Sequence, residues 1–289
     1  MPEKYASAVP GSVSQRIHRA FSELSEGERR IADQVLAAPG ELAFLSASEL
    51  AGQAGVSNAT VSRFFQRLGY RNFDAARQEA RRLRETGSPL YLSGGAGQGT
   101  PAGDPLSALL QEEAARLEAT LRGVPQPLLA EIAQAIAGAG QIRTLGFRNS
   151  HFLAQYLTAQ LAQIRPGVAP LLMPGQTRAE AIAGLGSRDL AIVIGLRRRP
   201  ADFLRTVEQI AAQGVPVLLV SDPTVRGAPA LARWTLSCHV DTAQFLDSYA
   251  APMTLLRMIT LEVARELGAA GRAHLDRVEA LRGDLNELE

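Results

Sequence analysis

Apolar and polar positions follow two different periodicities along this 289-residue chain. Before residue 86, apolar residues recur at spacings of three and four, which predicts amphipathic helices. From about residue 142, continuous apolar runs such as D-L-A-I-V-I-G at 189–195 alternate with helical patterns. That alternation is typical of a parallel sheet covered by helices on both faces. We therefore expect an all-α part followed by an α/β part.

Residues 46–69 predict two short helices joined by a tight turn. Ser46 and Glu49 form an S-x-x-E capping box, in which each end satisfies a backbone N–H of the other. Gly55 can adopt the positive φ that a sharp turn needs. The second helix has one apolar face, made of Val61, Phe64, Phe65 and Leu68. This arrangement is typical of a helix-turn-helix.

Polar side chains occupy the other face of that second helix, and Ser57 or Asn58 can cap it. In a helix-turn-helix, the N-terminal residues of the second helix meet base edges in the major groove, where Arg pairs with guanine or phosphate. The candidate DNA-binding residues are Ser57, Asn58, Thr60, Arg63, Arg67 and Arg71. The simpler alternative is a capped helical hairpin that belongs to a bundle and contacts no DNA.

Local charge supports the DNA-binding hypothesis. The whole chain has a formal net charge of only +1, whereas residues 55–84 carry seven arginines against Asp74 and Glu79. A basic stripe of this kind is what phosphate contacts require. Three of the arginines recur along one side of a predicted helix at 74–84, where they either follow a DNA backbone or form a solvated face. They are Arg77, Arg81 and Arg84.

A glycine-rich segment separates the two parts, with six glycines among the eighteen residues of 87–104. This composition predicts a flexible linker. We expect a helix-turn-helix domain at 12–86 and an α/β effector-binding and oligomerisation domain at 105–289, which a leucine-striped helix over 105–122 begins. The five predicted strands make one doubly wound parallel sheet and span 142–146, 168–173, 189–195, 215–221 and 234–240.

Doubly wound sheets bind ligands at the carboxyl ends of their strands. The first strand leads into G-F-R-N-S at 146–150, and the third leads into G-L-R-R-R-P at 195–200. If these strands are neighbours, several guanidiniums converge, and each offers a planar fork for a carboxylate or a phosphate. Ser150 can cap the following helix, whose N-terminus favours an anion. The candidate effector-binding residues are Gly146, Arg148, Asn149, Ser150, Arg197, Arg198 and Arg199.

The same arginines admit other interpretations. They can be exposed groups paired with acids such as Asp189, Asp202 or Glu208, or they can meet an acidic partner surface. Other chemistry has little support, because the single cysteine, Cys238, and four scattered histidines form no metal-ligand cluster. No Ser-His-Asp arrangement is visible either. We therefore expect no catalytic residues, no metal and no cofactor.

The sequence also gives expectations about the compartment. No run of 18 apolar residues is present, so neither a transmembrane helix nor a membrane partner is expected. The N-terminus lacks the apolar core of a secretion signal, and a single cysteine suits a reducing compartment. These features favour a cytoplasmic protein.

The order of helix-turn-helix, glycine-rich linker and five-stranded α/β domain resembles the MurR/RpiR-type bacterial transcriptional regulators, whose C-terminal half is a sugar isomerase (SIS) domain. The stretches that carry the resemblance are residues 46–73, 144–150, 189–195 and 214–222. The resemblance implies a homodimer or homotetramer that regulates genes of catabolism. It also implies that the SIS domain senses a metabolite, often a phosphosugar.

Two turns depart from the family pattern. SIS domains have G-x-G-x-S after the first strand, and here Arg148 stands at the second glycine. After the third strand they have S-x-S-G-x-T, a loop that cradles phosphate. Here residues 195–200 contain three arginines and none of those hydroxyls. The departures argue against an ordinary sugar-phosphate site.

These observations favour a transcriptional regulator that binds a double-stranded DNA operator and senses a small anionic metabolite, either a phosphosugar or a carboxylate. The alternative is a sugar-phosphate isomerase-like enzyme with an appended helical domain. An isomerase needs a base beside its phosphate cradle, and no histidine or glutamate is clearly placed for that role. A third possibility is a helical oligomerisation module fused to a SIS scaffold without a ligand.

Overall fold

The computed structural model describes residues 12–85, 104–240, 242 and 246–287. The chain divides into two compact units, the first made of residues 1–105 and 241–247 and the second of residues 106–240 and 248–289. The linker predicted at 87–104 lies outside the described residues except for Asp104, so it stays a prediction. The two units are described separately below.

Helices are the only regular secondary structure among the described residues of the first unit. Three of its helices begin with capping boxes, at Ser12, Ser25 and Ser46, because each serine has Gln or Glu three residues later. The helices are α1 (Val13–Ala20), α2 (Glu26–Ala37), α3 (Ala47–Ala54), α4 (Asn58–Arg67) and α5 (Phe73–Glu85), with 3-10 turns at Phe21–Glu23 and Glu41–Ala43.

An aromatic cluster forms the centre of this unit. The ring of Phe65 meets the rings of Phe64, Tyr70 and Phe73 edge to face, with centroids 5.1, 6.2 and 5.3 Å apart. Such contacts add to the stabilisation that burial of the rings provides. The predicted apolar face of α4 is therefore confirmed as the buried one.

The second unit is a five-stranded, all-parallel sheet with the order β2-β1-β3-β4-β5. The predicted doubly wound α/β fold is confirmed. The strands are β1 (Ile142–Gly146), β2 (Val168–Pro170), β3 (Leu190–Gly195), β4 (Val217–Ser221) and β5 (Trp234–Ser237). The helices are α6 (Pro105–Arg122), α7 (Gln126–Gly138), α8 (Asn149–Ala162), α9 (Arg178–Ala183), α10 (Phe203–Ala212) and α11 (Ala250–Leu285), with a 3-10 turn at Ala228–Ala230.

Helices cover both faces of the sheet. Alternate residues of β3 and β4 face a core built with α7, α8 and α11, and the residues between them face a core built with α9 and α10. Every residue of β3 is buried, which explains the continuous apolar run that predicted this strand.

Several elements differ from the sequence prediction. The strands β2 and β5 are shorter than predicted, because they lie at the two edges of the sheet and each pairs with only one neighbour. The stripe on α6 is largely exposed, with Leu106 and Leu110 each 61% accessible. The sequence predicts a helix at about 245–267 and a charged helix over the last twenty residues, and the structure has one element from Ala250 to Leu285 with non-helical torsions at Gly268.

Candidate DNA-reading helix and candidate anion site

The turn between α3 and α4 has the geometry of a helix-turn-helix. The Ser46 N–H donates to Glu49 Oε2 at 2.7 Å, and the Glu49 N–H donates to Ser46 Oγ at 3.2 Å. These hydrogen bonds lower the pKa of Glu49. Gly55 ends α3 at φ 63°, where a side chain would be strained, and the Val56 N–H bonds to Ala51 O at 2.9 Å.

The first turns of α4 present a connected polar surface. Ser57 caps the helix, since its Oγ accepts from the Thr60 N–H at 3.2 Å. The Asn58 amide donates to Ser48 Oγ at 3.0 Å and so links α4 to α3. Ser57, Asn58 and Arg63 are exposed, whereas Thr60 is half-buried. Four of the six predicted DNA-binding residues therefore share one region.

The other two predicted DNA-binding residues lie in different environments. Arg71 is exposed just beyond the end of α4. Arg67 is half-exposed, but its Nε lies 3.2 Å from Glu28 Oε1 and its Nη1 donates to Glu23 O at 2.8 Å. The guanidinium of Arg67 is thus bound to the helix α2 and the turn before it.

The arginines of α5 make contacts within their own unit that neither sequence interpretation anticipated. Arg77 pairs with Asp74 at 3.0 Å, and Arg81 Nε donates to Ala43 O at 2.7 Å. The guanidinium of Arg84 lies 4.9 Å from the ring centroid of Phe44. Arg81 and Arg84 thus hold α5 to the segment that precedes α3, whereas the ion pair of Arg77 lies within α5.

A polar cluster around Glu79 was missed by the sequence analysis. Glu79 Oε1 accepts from the Val13 N–H at 3.1 Å and from the Tyr70 hydroxyl at 3.0 Å. Arg16 lies 4.2 Å from the Tyr70 ring centroid and donates to Leu68 O at 3.2 Å. These contacts join α1, α5 and the end of α4. No local pattern identifies them, because the partners are up to 66 residues apart.

In the second unit, the candidate anion site lies where β1 and β3 run side by side. The two strands pair in parallel from Ile142 opposite Leu190 to Gly146 opposite Ile194. The chain continues from β1 to one side of the sheet and from β3 to the other, so their carboxyl ends flank a topological switch point. The loops 146–150 and 195–200 therefore lie at the same edge of the sheet, as the sequence analysis expected for neighbouring strands.

Two glycines permit the close packing of these loops. A Cβ at Gly146 would overlap the carbonyl group of Ser150, and a Cβ at Gly195 would overlap the ring of Phe203. That ring packs edge to face on Phe147, with centroids 6.4 Å apart. Gly146 thus serves the backbone turn, and Phe147 and Phe203 pack in the apolar core beside the two loops.

Ser150 does not cap α8 as predicted. The N-cap residue is Arg148, and the Ser150 side chain is 4% accessible. Its Oγ accepts a hydrogen bond from the Leu196 N–H at 3.3 Å, which ties the two loops together. The Leu196 N–H is therefore already paired, with the Ser150 hydroxyl as its acceptor.

Arg148 and Arg198 share an unusual backbone conformation. Both have positive φ, 56° and 63°, and both side chains are exposed. Holding a residue other than glycine in this region costs about 1–3 kcal/mol, and such positions cluster at functional sites. Each arginine stands where the family pattern has a glycine, which is the sequence signal for this conformation.

Arg199 is bound internally. Its guanidinium pairs with Asp222, which is 1% accessible, and also donates to Thr224 Oγ1 and Gly195 O at 2.8 Å each. The contacts of Arg199 with Asp222 and Thr224 hold the loop after β3 against the loop after β4. Asn149 is exposed and donates to the Tyr249 hydroxyl at 3.2 Å, and Arg197 is half-buried. The structure thus separates Arg199 from the exposed pair of Arg148 and Arg198.

Other chemistry in the described residues is limited. They contain no group of three or more His, Cys, Asp and Glu side chains that could hold a metal ion. The thiol of Cys238 is fully buried, and burial together with the charge of Asp222 raises its pKa to about 12. Within the described part of the chain, every helix is either too short or too polar to cross a lipid bilayer.

Comparisons with known proteins match both units. The model of the rpiR-family helix-turn-helix domain matches residues 11–80, and the model of the SIS domain matches residues 135–261. The sugar isomerase domain of an RpiR transcription factor from Sphaerobacter thermophilus has a TM-score of 0.57 and 20% identity, covering 62% of this chain and 99% of that one.

The Vibrio vulnificus NanR protein, solved in complex with ManNAc-6P, has a TM-score of 0.57 and 17% identity, covering 94% of this chain and 98% of its own. At these identities the structural likeness concerns the fold. The first domain model names the rpiR family and the second names the SIS domain, and they occur here in the order that the sequence predicted. The chain therefore belongs to the RpiR family, with a helix-turn-helix domain followed by a SIS domain.

Proposed function

We propose that this protein is a transcriptional regulator that reads a double-stranded DNA operator with α4 and senses an anionic metabolite with its SIS domain. The observation that carries the proposal is the exposed polar surface at the start of α4, opposite a fully apolar face. Every surface helix has a polar side, and the match of residues 11–80 to the rpiR-family helix-turn-helix model supports DNA as the partner of this one.

The side chains on this surface suit base recognition. Asn58 can bond to adenine and Arg63 to guanine in the major groove, while Ser57 lies at the helix N-terminus, which favours a phosphate. Arg71 extends the surface towards a phosphate backbone. We assign Arg67 mainly to positioning α4, because its guanidinium is bound to Glu28 and to a backbone carbonyl.

The sensing role is supported by the edge of the sheet. Exposed guanidiniums at Arg148 and Arg198 favour a carboxylate or a phosphate. The likeness to NanR, which was solved with a phosphosugar, supports a small anionic metabolite as the effector. Such a ligand can change the affinity for DNA only if it binds the DNA-binding conformation of the protein and the other conformation with different affinities. A homodimer or homotetramer would place two copies of α4 on successive half-sites.

The isomerase alternative has weaker support. A general base must reach the proton that it removes. The loops 146–150 and 195–200 contain no histidine, aspartate or glutamate, so neither loop offers such a base. Turnover of a phosphosugar by the purified protein would restore this alternative.

The test begins by sequencing the genomic DNA that the full-length protein retains. Gel shifts on the recovered site then compare Arg63→Ala with Arg272→Ala, which removes the same charge from an exposed position on α11. We expect Arg63→Ala to weaken binding by about 1–3 kcal/mol and Arg272→Ala to leave it unchanged. Random recovery of DNA, or equal affinity for all three proteins, would contradict the proposed function.

A further inference from the structure

The last part of α11 extends beyond the packed part of the second unit. Non-helical torsions at Gly268 separate it from the rest of the helix, and we call residues 269–285 the C-terminal segment. Gly271 is buried, and His274 Nε2 lies 3.1 Å from Ala162 O. After His274, no hydrogen bond, ion pair or ring contact joins the segment to another element in the described part of the chain.

An apolar stripe continues along the C-terminal segment into the part that has no such contacts. Gly271, His274, Val278, Leu281 and Leu285 recur at alternating spacings of three and four, which is the a/d pattern of a coiled coil. The first two lie where the segment still contacts the domain, whereas Leu281 and Leu285 are 52% and 65% accessible. An unsupported helix of about three turns is only marginally stable in water, so the exposed stripe suits a partner helix.

The charged residues beside the stripe show which partner fits. With Gly271, Val278 and Leu285 at a, the g positions are Arg277 and Asp284. Both side chains are exposed, and neither makes a hydrogen bond or ion pair with another described residue. When two copies of one helix pair antiparallel, the g positions of one copy face those of the other. Each Arg277 then meets the Asp284 of the second copy, so the segment is complementary to itself.

The same antiparallel alignment also fills the stripe. A two-fold axis between residues 279 and 280 places Val278 beside Leu281 of the second copy and His274 beside Leu285. Each layer then combines an a residue with a d residue, which is the knobs-into-holes packing of a coiled coil. The charge pairs and the apolar layers therefore select one register.

A parallel pair is disfavoured by charge. In a parallel coiled coil a g residue faces the following e residue of the other helix, so Arg277 would face Arg282. Two arginines at that contact would repel each other. In the antiparallel pair, Arg282 instead lies beside Leu275 of the second copy and keeps its ion pair with Glu279 of its own helix.

From these observations we infer that the C-terminal segments of two copies of this chain pair as a short antiparallel coiled coil. The inference rests on the homo-oligomer of the proposed function and names a surface where two copies meet. Two heptads bury less than the roughly 800 Å² per partner of a standard interface, so the contact is expected to act within that oligomer and not to hold two copies together alone.

Thiol crosslinking of the full-length protein tests the antiparallel alignment. Two copies of residue 281 would lie about 4.5 Å apart along the axis, and two copies of residue 285 about 16 Å apart. With a short thiol-to-thiol crosslinker, Leu281→Cys should form covalent dimers about tenfold faster than Leu285→Cys. The parent protein, which has only Cys238, sets the background. Equal crosslinking at both positions, or none above background at Leu281→Cys, would overturn the inference.

Charge reversal in the Leu281→Cys background tests the register. Arg277→Glu places a carboxylate opposite each Asp284, so crosslinking should slow by about threefold or more. Adding Asp284→Lys should restore the rate, because each pair is then reversed as a whole. Arg272→Glu makes the same change of charge at an exposed position away from the stripe and should have no effect. A rate that Arg277→Glu does not lower, or that Asp284→Lys does not restore, would contradict the pairing.

Sedimentation of the parent protein separates this inference from the proposal on which it rests. A monomer would contradict the homo-oligomer itself, and with it the pairing. An oligomer whose C-terminal segments do not crosslink at Leu281→Cys would contradict the pairing alone. The gel shifts measure the DNA-binding role independently of both.

Discussion

Arg67 on α4 forms an ion pair with Glu28 on α2, with 3.2 Å between Nε and Oε1. Glu28 is almost fully buried and also accepts the Ser25 N–H at 2.9 Å as part of the capping box. One carboxylate therefore fixes the start of α2 and holds the end of α4. The helix proposed to read DNA is oriented by this contact.

Variants of the two arginines on α4 should behave differently. Arg63 has an exposed guanidinium whose Nε donates to Ala59 O on its own helix, so Arg63→Ala should weaken operator binding with little change in stability. Arg67→Ala removes the partner of the buried Glu28 carboxylate and should lower the free energy of unfolding by about 1–2 kcal/mol. Gel shifts and urea titrations measure the two effects. Equal stability of both variants would contradict the positioning role of Arg67.

The Glu28 site predicts a dependence on pH. Burial acts to raise the pKa of Glu28, but hydrogen bonds from Ser25 and the charges of Arg67 and Arg63 outweigh burial and lower it. Because the folded pKa is lower than the unfolded one, this stabilisation is present above the unfolded pKa, about 4.3, and is lost as the pH falls through the folded pKa. The protection factors of α2 amides, which correct for the slower intrinsic exchange in acid, should therefore fall as the pH is lowered, and Glu28→Gln should flatten that response.

The hydrogen bond from the Leu196 N–H to Ser150 Oγ, which joins the loops after β1 and β3, can be tested by removing the serine hydroxyl. Ser150→Ala leaves the Leu196 N–H without its acceptor in a buried position, which should destabilise the protein by about 1–2 kcal/mol. Ser187→Ala changes an exposed serine and should stay within about 0.5 kcal/mol of the parent. Urea titrations followed by Trp234 fluorescence compare the two variants.

Arg165 is buried without a carboxylate partner among the described residues and donates instead to backbone carbonyls at the end of α7. Its Nη2 lies 2.7 Å from Ala139 O, its Nη1 bonds to Ile136 O, and burial lowers its pKa. Arg165→Met would leave these carbonyls unpaired, so we expect a loss of about 2–4 kcal/mol by urea titration. Arg122→Met, at an exposed ion pair, should cost less than about 1 kcal/mol.

Backbone strain in the loop after β3 predicts that one substitution does not lower the stability of the protein. Arg198→Gly removes the steric cost of positive φ but increases the entropy of the unfolded chain, so the net change should lie between zero and about 1 kcal/mol of stabilisation. Arg198→Ala keeps the strained torsion and should give no gain. A comparable loss of stability in both variants would show that the Arg198 side chain is structural, and a larger loss for glycine than for alanine would contradict backbone strain at this position.

Features that depend on near neighbours in sequence were predictable. The capping box at Ser46 and the positive φ of Gly55 arise within one or two helical turns, and both are confirmed. The strand β3 was predicted because burial on both faces leaves a continuous apolar run. The order of the strands then placed both arginine loops at one edge of the sheet.

Features that depend on distant partners were not predictable. Asp222 binds Arg199 across 23 residues of sequence, and Arg67 binds Glu28 across 39. Nothing local distinguishes those two arginines from Arg63 or Arg198, which have different environments. The capping function of Ser150 was predicted wrongly because its hydroxyl meets a backbone donor of another loop. Pairing in three dimensions therefore decides which arginines are available to a ligand.

The buried thiol of Cys238 has a practical consequence for measuring motion. It is the single cysteine of the chain, and its raised pKa leaves very little thiolate at neutral pH. Maleimide dyes and nitroxide spin labels should spare it in the folded protein. A cysteine introduced at an exposed site on α4 would then be the one reactive handle, and distances between labels in an assembled oligomer would follow the reading helices as effector is added.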